Sequence, residues 1–76
     1  MPKLPVLNGR EIVRAAERAG FVRDRWSGSH VTLVHPDTGR STTIPVHGGQ
    51  DVPAGTLRGI IRDMGIAVEE FVRLLK

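Results

Sequence analysis

The first hydrophobic pattern along the chain is that of an amphipathic helix. Residues 1–7 hold two prolines and read as an extended lead-in. Asn8 is a good N-cap, and Glu11 three positions later completes a capping box. The apolar positions that recur at helical spacing are mostly small: Ile12, Ala15, Ala16 and Ala19. Gly20 supplies the C-terminal stop. Because this face lacks large side chains, we expect it to lie close against a sheet.

The next apolar positions follow the period of two that is typical of strands. Residues 29–35 alternate, so that Val31 and Leu33 fall on one face and His30 and Thr32 on the other. Residues 36–39 have the composition of a turn, with proline presetting φ and glycine accepting a positive φ.

A less regular strand precedes this one. Residues 21–26 predict a strand of mixed quality, and Ser27-Gly28 predicts the turn that follows. Without clean alternation, the sequence leaves open which of three charged residues lies beside His30: Arg23, Asp24 or Arg25.

A third strand is predicted over residues 41–46, which are rich in β-branched side chains. Pro45 cannot donate a ladder hydrogen bond, so it places this strand at a sheet edge or ends it there.

Two helical patterns complete the chain after a loop over residues 47–54. The first opens at Gly55-Thr56, and its core stripe is Leu57, Ile60, Ile61 and Met64. Gly65 ends it. The second, shorter helix repeats the stripe at Val68, Phe71, Val72 and Leu75.

The predicted order is therefore α-β-β-β-α-α, an α+β fold in which a three-stranded antiparallel meander carries helices on one face. Such a sheet leaves its other face open. If Val31 and Leu33 face the helices, His30, Thr32 and Val34 point outward.

Length and composition narrow the class of protein. A chain of 76 residues is expected to form a single domain over residues 1–76. It has no cysteine, so neither a disulfide nor a thiolate–metal site is expected. The N-terminus does not resemble a signal peptide, and no run approaches the roughly 20 apolar residues that span a bilayer. We therefore expect a cytoplasmic protein without a membrane segment.

The charge is basic and carried by arginine. Lys+Arg number 11 against 8 Asp+Glu, and nine of the cations are arginine, the preferred residue for bidentate phosphate contacts. A net charge of +3 fits nucleic acid and an acidic protein partner equally. Arg58 and Arg62, one turn apart on a helix, either grip RNA phosphates or form a solvated helix face.

Gly28-Ser29-His30 places an imidazole where a tight turn leads into a strand. Imidazole gives and takes a proton near neutral pH, and the surrounding arginines make a phosphodiester its natural target. The residues alone favour the other interpretation of His30, a polar side chain beside a turn on an exposed sheet face. Gly28 and Ser29 likewise serve either as ordinary turn residues or as a phosphate-approach site.

The remaining candidates are weaker. His35 is expected to cap the turn at Pro36-Asp37. His47 is either a second acid/base partner or a solvated loop residue, and Trp26 either stacks a base or packs on a neighbour. The histidines show no helical pairing and no cysteine or carboxylate cluster, so no metal site is predicted.

The ordered set of motifs resembles the HicA toxins of bacterial toxin–antitoxin pairs. The motifs that carry the resemblance are Gly28-Ser29-His30, His35-Pro36-Asp37 with Gly39-Arg40, Thr43-Ile44-Pro45-Val46-His47, Gly55-Thr56-Leu57-Arg58-Gly59-Ile60-Ile61 and Gly65-Ile66. Each is common by itself, but their order and spacing in so short a chain are fairly specific, and the resemblance covers nearly the whole chain.

The resemblance implies a fold like that of double-stranded-RNA-binding domains, and mRNA cleavage without metal or cofactor. It also implies a HicB antitoxin that masks the active site. The histidine of its Gly-Ser-His motif, here His30, would be catalytic. In an endoribonuclease of this kind we expect five residues to hold the phosphate: Gly28, Ser29, Arg25, Arg58 and Arg62.

Two departures from the commoner family pattern shift the expected RNA contacts. Trp26-Ser27 replaces a basic or polar pair, so Arg25 would supply the cation there. Gly48-Gly49-Gln50-Asp51 replaces a lysine-rich loop, so the RNA affinity would be either weaker or carried more by Arg58 and Arg62. The alternative is a non-catalytic RNA- or protein-binding module of the same fold, in which His30 is structural.

Overall fold

The computed structural model describes residues 3–76; Met1 and Pro2, which begin the predicted lead-in, lie outside the described residues. Its elements follow in the order α1 (Gly9–Arg18), β1 (Val22–Ser27), β2 (His30–Val34), β3 (Ser41–Pro45), α2 (Ala54–Met64) and α3 (Val68–Arg73). The strands form one antiparallel sheet in the order β1-β2-β3. The predicted α+β architecture and element order are confirmed.

The start of α1 is fixed by the predicted capping box. The Asn8 side chain accepts a hydrogen bond from the Glu11 backbone N–H, and the Glu11 carboxylate accepts one from the Asn8 N–H, both at 3.0 Å. Two of the helix's otherwise unsatisfied donors are thereby bonded. Ala15 and Ala16 are fully buried, so the small-residue face does bring this helix close to the sheet.

Gly9, the first residue of α1, lies directly against the backbone at the end of β3. A Cβ built on Gly9 would overlap the Pro45 carbonyl oxygen and come within 2.9 Å of the Val46 Cα. Both neighbours are backbone, which cannot turn aside as a flexible side chain would. Glycine at this position therefore sets how tightly α1 sits on the end of β3.

Gly9→Ala is expected to destabilise the protein by about 1–3 kcal/mol, because the added methyl forces α1 off β3. Gly59→Ala is the matched control: Gly59 also lies in a helix, but a Cβ there meets nothing within 4 Å. Gly59→Ala should stabilise by about 0.5–1 kcal/mol through helix propensity. Denaturant unfolding of both variants measures the two shifts, and equal effects would contradict the close packing at Gly9.

The core lies between the helices and one face of the sheet. Val31, Leu33 and Ile44 are fully buried there. The helices supply most of the rest of the core, from α1 Ile12, Val13, Ala15 and Ala16, from α2 Leu57, Ile60, Ile61 and Met64, and from α3 Phe71, and the connecting segments add Leu7, Phe21, Val46 and Val52. The parity predicted for β2 is confirmed, and His30 and Thr32 lie on the face without helices.

The irregular pattern of β1 has a specific cause. Its register against β2 shifts between Arg23 and Arg25, so Asp24 is an extra residue in a bulge. A bulge reverses the inward and outward alternation, which explains why residues 21–26 show no clean period. The strand is also displaced by one residue from that prediction, and the turn residues are Gly28 and Ser29 rather than Ser27 and Gly28.

The C-terminal helices differ slightly from their predicted bounds. α2 begins at Ala54, one residue early, and Gly65 stops it after Met64 with a left-handed φ of 74°, as predicted. α3 stops at Arg73 and so is shorter than the stripe that reaches Leu75. None of the helices in the described part of the chain is long and apolar enough to cross a membrane.

Candidate active site

The hairpin between β1 and β2 determines where His30 lies. Gly28 has a φ of 58°, whereas Ser29 has no positive φ, which fits the type II′ turn that favours glycine at its first central position. His30 is the first residue of β2, paired with Ser27 on one side and Pro45 on the other. Its imidazole is exposed on the open face of the sheet.

One long-range hydrogen bond connects this turn to the end of β3. The Val46 N–H donates to the Ser29 carbonyl at 2.6 Å. Pro45 pairs with His30 but has no N–H, so it cannot donate a hydrogen bond to β2. The next residue, Val46, donates one to the turn instead. The chain leaving β3 is therefore held beside the turn, and the next residue is His47.

The result is a pair of imidazoles. The ring centroids of His30 and His47 are 5.7 Å apart, with an interplanar angle of 86°. Both side chains are exposed, so a ligand can reach either ring. Within residues 3–76, no group of three His, Cys, Asp or Glu residues is arranged to hold a metal ion. Two adjacent imidazoles on an open face can transfer protons to and from one bound phosphodiester.

Arg25 lies on the same face as the histidine pair. Arg25 pairs with Thr32, and two positions along the ladder Ser27 pairs with His30, so Arg25 and His30 are diagonal neighbours. Diagonal neighbours of this kind have Cβ atoms roughly 7–8 Å apart, within reach of a long side chain. The bulge at Asp24 thus answers the question that the sequence left open, because it directs Arg25 to the outer face.

The turn itself leaves room for a phosphate. A Cβ on Gly28 would meet nothing within 4 Å, so the backbone there is open to solvent. Ser29 is half-buried, with its carbonyl engaged by Val46. Gly28, Ser29, Arg25 and His30 therefore lie together at one end of the open face.

Arg58 and Arg62 lie elsewhere. Both project from α2, which packs on the helical side of the sheet, and they line a groove with Ile66, Ala67 and Val68 at the start of α3. His30 lies on the opposite side of the sheet. The two arginines are exposed, but they do not belong to the cluster around His30.

His35 has the structural role that its position predicted. Its Nδ1 accepts a hydrogen bond from the Asp37 N–H at 3.2 Å, which caps the turn. The ring also meets Phe21 edge-on, with centroids 5.2 Å apart, and packs over Gly20. This histidine is used by the fold, in contrast to His30 and His47.

The sequence identified both histidines of the pair as candidates but did not predict that they lie side by side. The sequence left two roles open for His47, a second acid/base partner or a solvated loop residue. No local spacing places it beside His30, which lies seventeen positions earlier. The signal that was present is Pro45, which ends β3 opposite the first residue of β2.

A comparison with known protein families gives a match. A family model described as the HicA toxin of bacterial toxin–antitoxin systems matches residues 9–66, from the first residue of α1 to just beyond α2. That range includes the hairpin, both histidines and the arginines of α2. A search of the curated proteins found no match.

Proposed function

The chain belongs to the HicA toxin family, and we propose that it is an endoribonuclease that cleaves mRNA in the cytoplasm through His30. The observation that carries the proposal is the histidine pair. An exposed imidazole stands beside a second one, with centroids 5.7 Å apart, on the sheet face that the helices leave open.

The chemistry needs two proton transfers. One imidazole takes the proton from the 2′-OH of the ribose, whose oxygen then attacks phosphorus. The bond from phosphorus to the 5′ oxygen breaks, and the other imidazole gives that oxygen a proton. The products are a 2′,3′-cyclic phosphate and a 5′-OH. Each positioned acid or base contributes typically about 10²–10⁴-fold.

Negative charge on the phosphorus oxygens needs a counter-charge in the same place. Arg25 supplies a cation on the same face as His30, and its guanidinium offers bidentate donors to a phosphate. Gly28 leaves the backbone of the turn open to close approach, and Ser29 can donate a hydrogen bond. Arg58 and Arg62, on the helical side, would hold phosphates more distant along the RNA.

The partner is proposed to be a HicB-type antitoxin that covers His30. A protein that blocks one small open face stops the chemistry, and an acidic contact surface would complement the net charge of +3. In a complex, protection of His30 from chemical modification supports this arrangement. A complex in which His30 stays reactive would count against it.

The products of cleavage test the proposal directly. The purified protein is incubated with a long transcript, and the new ends are identified by kinase labelling with and without prior phosphatase treatment. We expect 5′-OH ends and 2′,3′-cyclic phosphates. New 5′-phosphate ends would contradict attack by the 2′-OH, and the absence of any new ends would favour the binding-module alternative.

Arg25→Gln is expected to slow cleavage by about 10- to 100-fold, the loss of one charge-assisted hydrogen bond to the phosphate. Arg73→Gln is the matched control, because Arg73 is an exposed arginine at the end of α3, far along the chain from the histidine pair. Single-turnover cleavage rates compare the two variants. An equal loss in both would indicate a general charge effect and no specific role for Arg25.

A further inference from the structure

A second basic feature lies on the other side of the β1 edge from His30. A groove of about 240 Å³ runs between α1 and β1, and its lining residues are Arg10, Val13, Arg14, Arg23, Trp26 and Val46. We call it the arginine–tryptophan groove. β1 is an outer strand of the sheet and is exposed along all six residues, so the groove is open to solvent.

Three arginines and no carboxylate line this groove. Arg10 and Arg14 are one turn apart on α1 and exposed. Arg23 forms an ion pair with Glu17 at 3.2 Å, with both side chains substantially exposed. Exposed pairs of this kind contribute little, so a phosphate can replace that carboxylate at small cost.

Trp26 supplies a flat surface among these cations. It is 54% exposed, which is unusual for so large an apolar side chain. Its indole N–H donates to the Gly28 carbonyl at 2.9 Å, which fixes the ring, and the Arg23 guanidinium carbon lies 5.6 Å from the ring centroid. An aromatic ring held in place and flanked by arginines is the arrangement on which single-stranded nucleic acids stack their bases.

We propose that the arginine–tryptophan groove binds a single-stranded RNA segment next to the cleaved bond, with a base stacked on Trp26 and phosphates on Arg10 and Arg14. Continuity with the active site favours RNA over an acidic protein. Trp26 precedes the Ser27–His30 pair by one residue, and its N–H binds the turn that carries His30. The inference rests on the proposed ribonuclease function.

The single tryptophan of the chain makes the test direct. A 2′-O-methyl single-stranded oligonucleotide of mixed sequence, which lacks the attacking hydroxyl, is titrated into the intact protein. Stacking on Trp26 should quench its fluorescence saturably. By anisotropy of the labelled oligonucleotide, Trp26→Leu should weaken binding about 5- to 100-fold.

The arginines are tested through salt dependence. Replacing Arg10 and Arg14 together with glutamine should reduce the slope of log affinity against log salt by about 1.4, since each phosphate contact on a single strand contributes about 0.7. Arg73→Gln serves again as the control and should behave as the unmodified protein. Circular dichroism melting confirms that each variant is folded.

Several results would overturn the inference. Binding without a change in tryptophan fluorescence would place the RNA elsewhere, and so would equal affinities of Trp26→Leu and Arg73→Gln. Quenching by the antitoxin alone would make the groove a protein interface. If RNA quenches Trp26 but no RNA is cleaved, the proposed ribonuclease function fails and the groove stands. If RNA is cleaved but the fluorescence of Trp26 does not change on RNA binding, the ribonuclease function stands and only RNA binding in the groove is ruled out.

Discussion

Replacing His30 with alanine is expected to lower the rate of RNA cleavage by about 10²–10⁴-fold, the usual contribution of a positioned proton-transfer group. The fold should be unaffected, because the imidazole is exposed and its ring neighbour is another exposed histidine. Cleavage rates under single-turnover conditions, together with thermal melting, measure both effects. A variant that melts normally and cleaves normally would remove His30 from the mechanism.

His35→Ala is the matched control for this experiment. Its ring packs on Phe21 and accepts a hydrogen bond from the Asp37 N–H, so its loss should destabilise the protein by about 1–2 kcal/mol. Cleavage per folded molecule should stay near that of the unmodified protein at low temperature. His30→Ala should therefore lose cleavage and keep its stability, whereas His35→Ala should lose stability and keep its cleavage. A drop in melting temperature with His30→Ala alone would reverse the assignment.

His47→Ala is expected to lower cleavage by a similar factor, about 10²–10⁴-fold, if His47 performs the second proton transfer. Its proximity to His30, at 5.7 Å between centroids, is the physical reason. Because the two groups act in one reaction, the double variant should be little slower than either single variant. The loss should fall on the rate of the bound complex, with RNA affinity nearly unchanged.

Two results would contradict that role for His47. Full cleavage by His47→Ala would leave His30 with a solvent-derived partner. Losses that multiply in the double variant would show that the two histidines act independently. His47→Gln, which keeps a polar side chain of similar size without the proton transfer, distinguishes chemistry from packing and should be as slow as His47→Ala.

Local sequence signals predicted most of the framework. The capping box at Asn8 and Glu11 and the alternation of β2 both appear in the structure, because each depends on contacts within a few residues. The stop at Gly65 is likewise local, since it needs a left-handed φ. These features placed His30 at the start of a strand and on its open face.

The composition of the site depends on contacts that no local pattern encodes. Arg25 reaches the outer face because of the bulge at Asp24, which is a property of the β1–β2 register. His47 reaches His30 because the Val46 N–H binds the Ser29 carbonyl across seventeen positions. Neither contact follows from spacing, and both arise only when the sheet forms.

The sequence also did not predict which arginines share a surface in the folded protein. Arg58 and Arg62 were expected to hold the phosphate together with the residues beside His30, whereas α2 places them on the helical side with α3. Arg10 and Arg14 carried no expectation from the sequence, yet α1 sets them beside Trp26. Tertiary packing thus decides which cations share a surface with a nucleic acid.

Induced expression of the unmodified protein and of His30→Ala in parallel, followed by primer extension on abundant transcripts, distinguishes a histidine-dependent ribonuclease from a binding module. We expect growth arrest and new RNA ends with the unmodified protein, and neither with His30→Ala at an equal protein level. Identical growth and identical RNA ends in the two cultures would contradict a histidine-dependent ribonuclease.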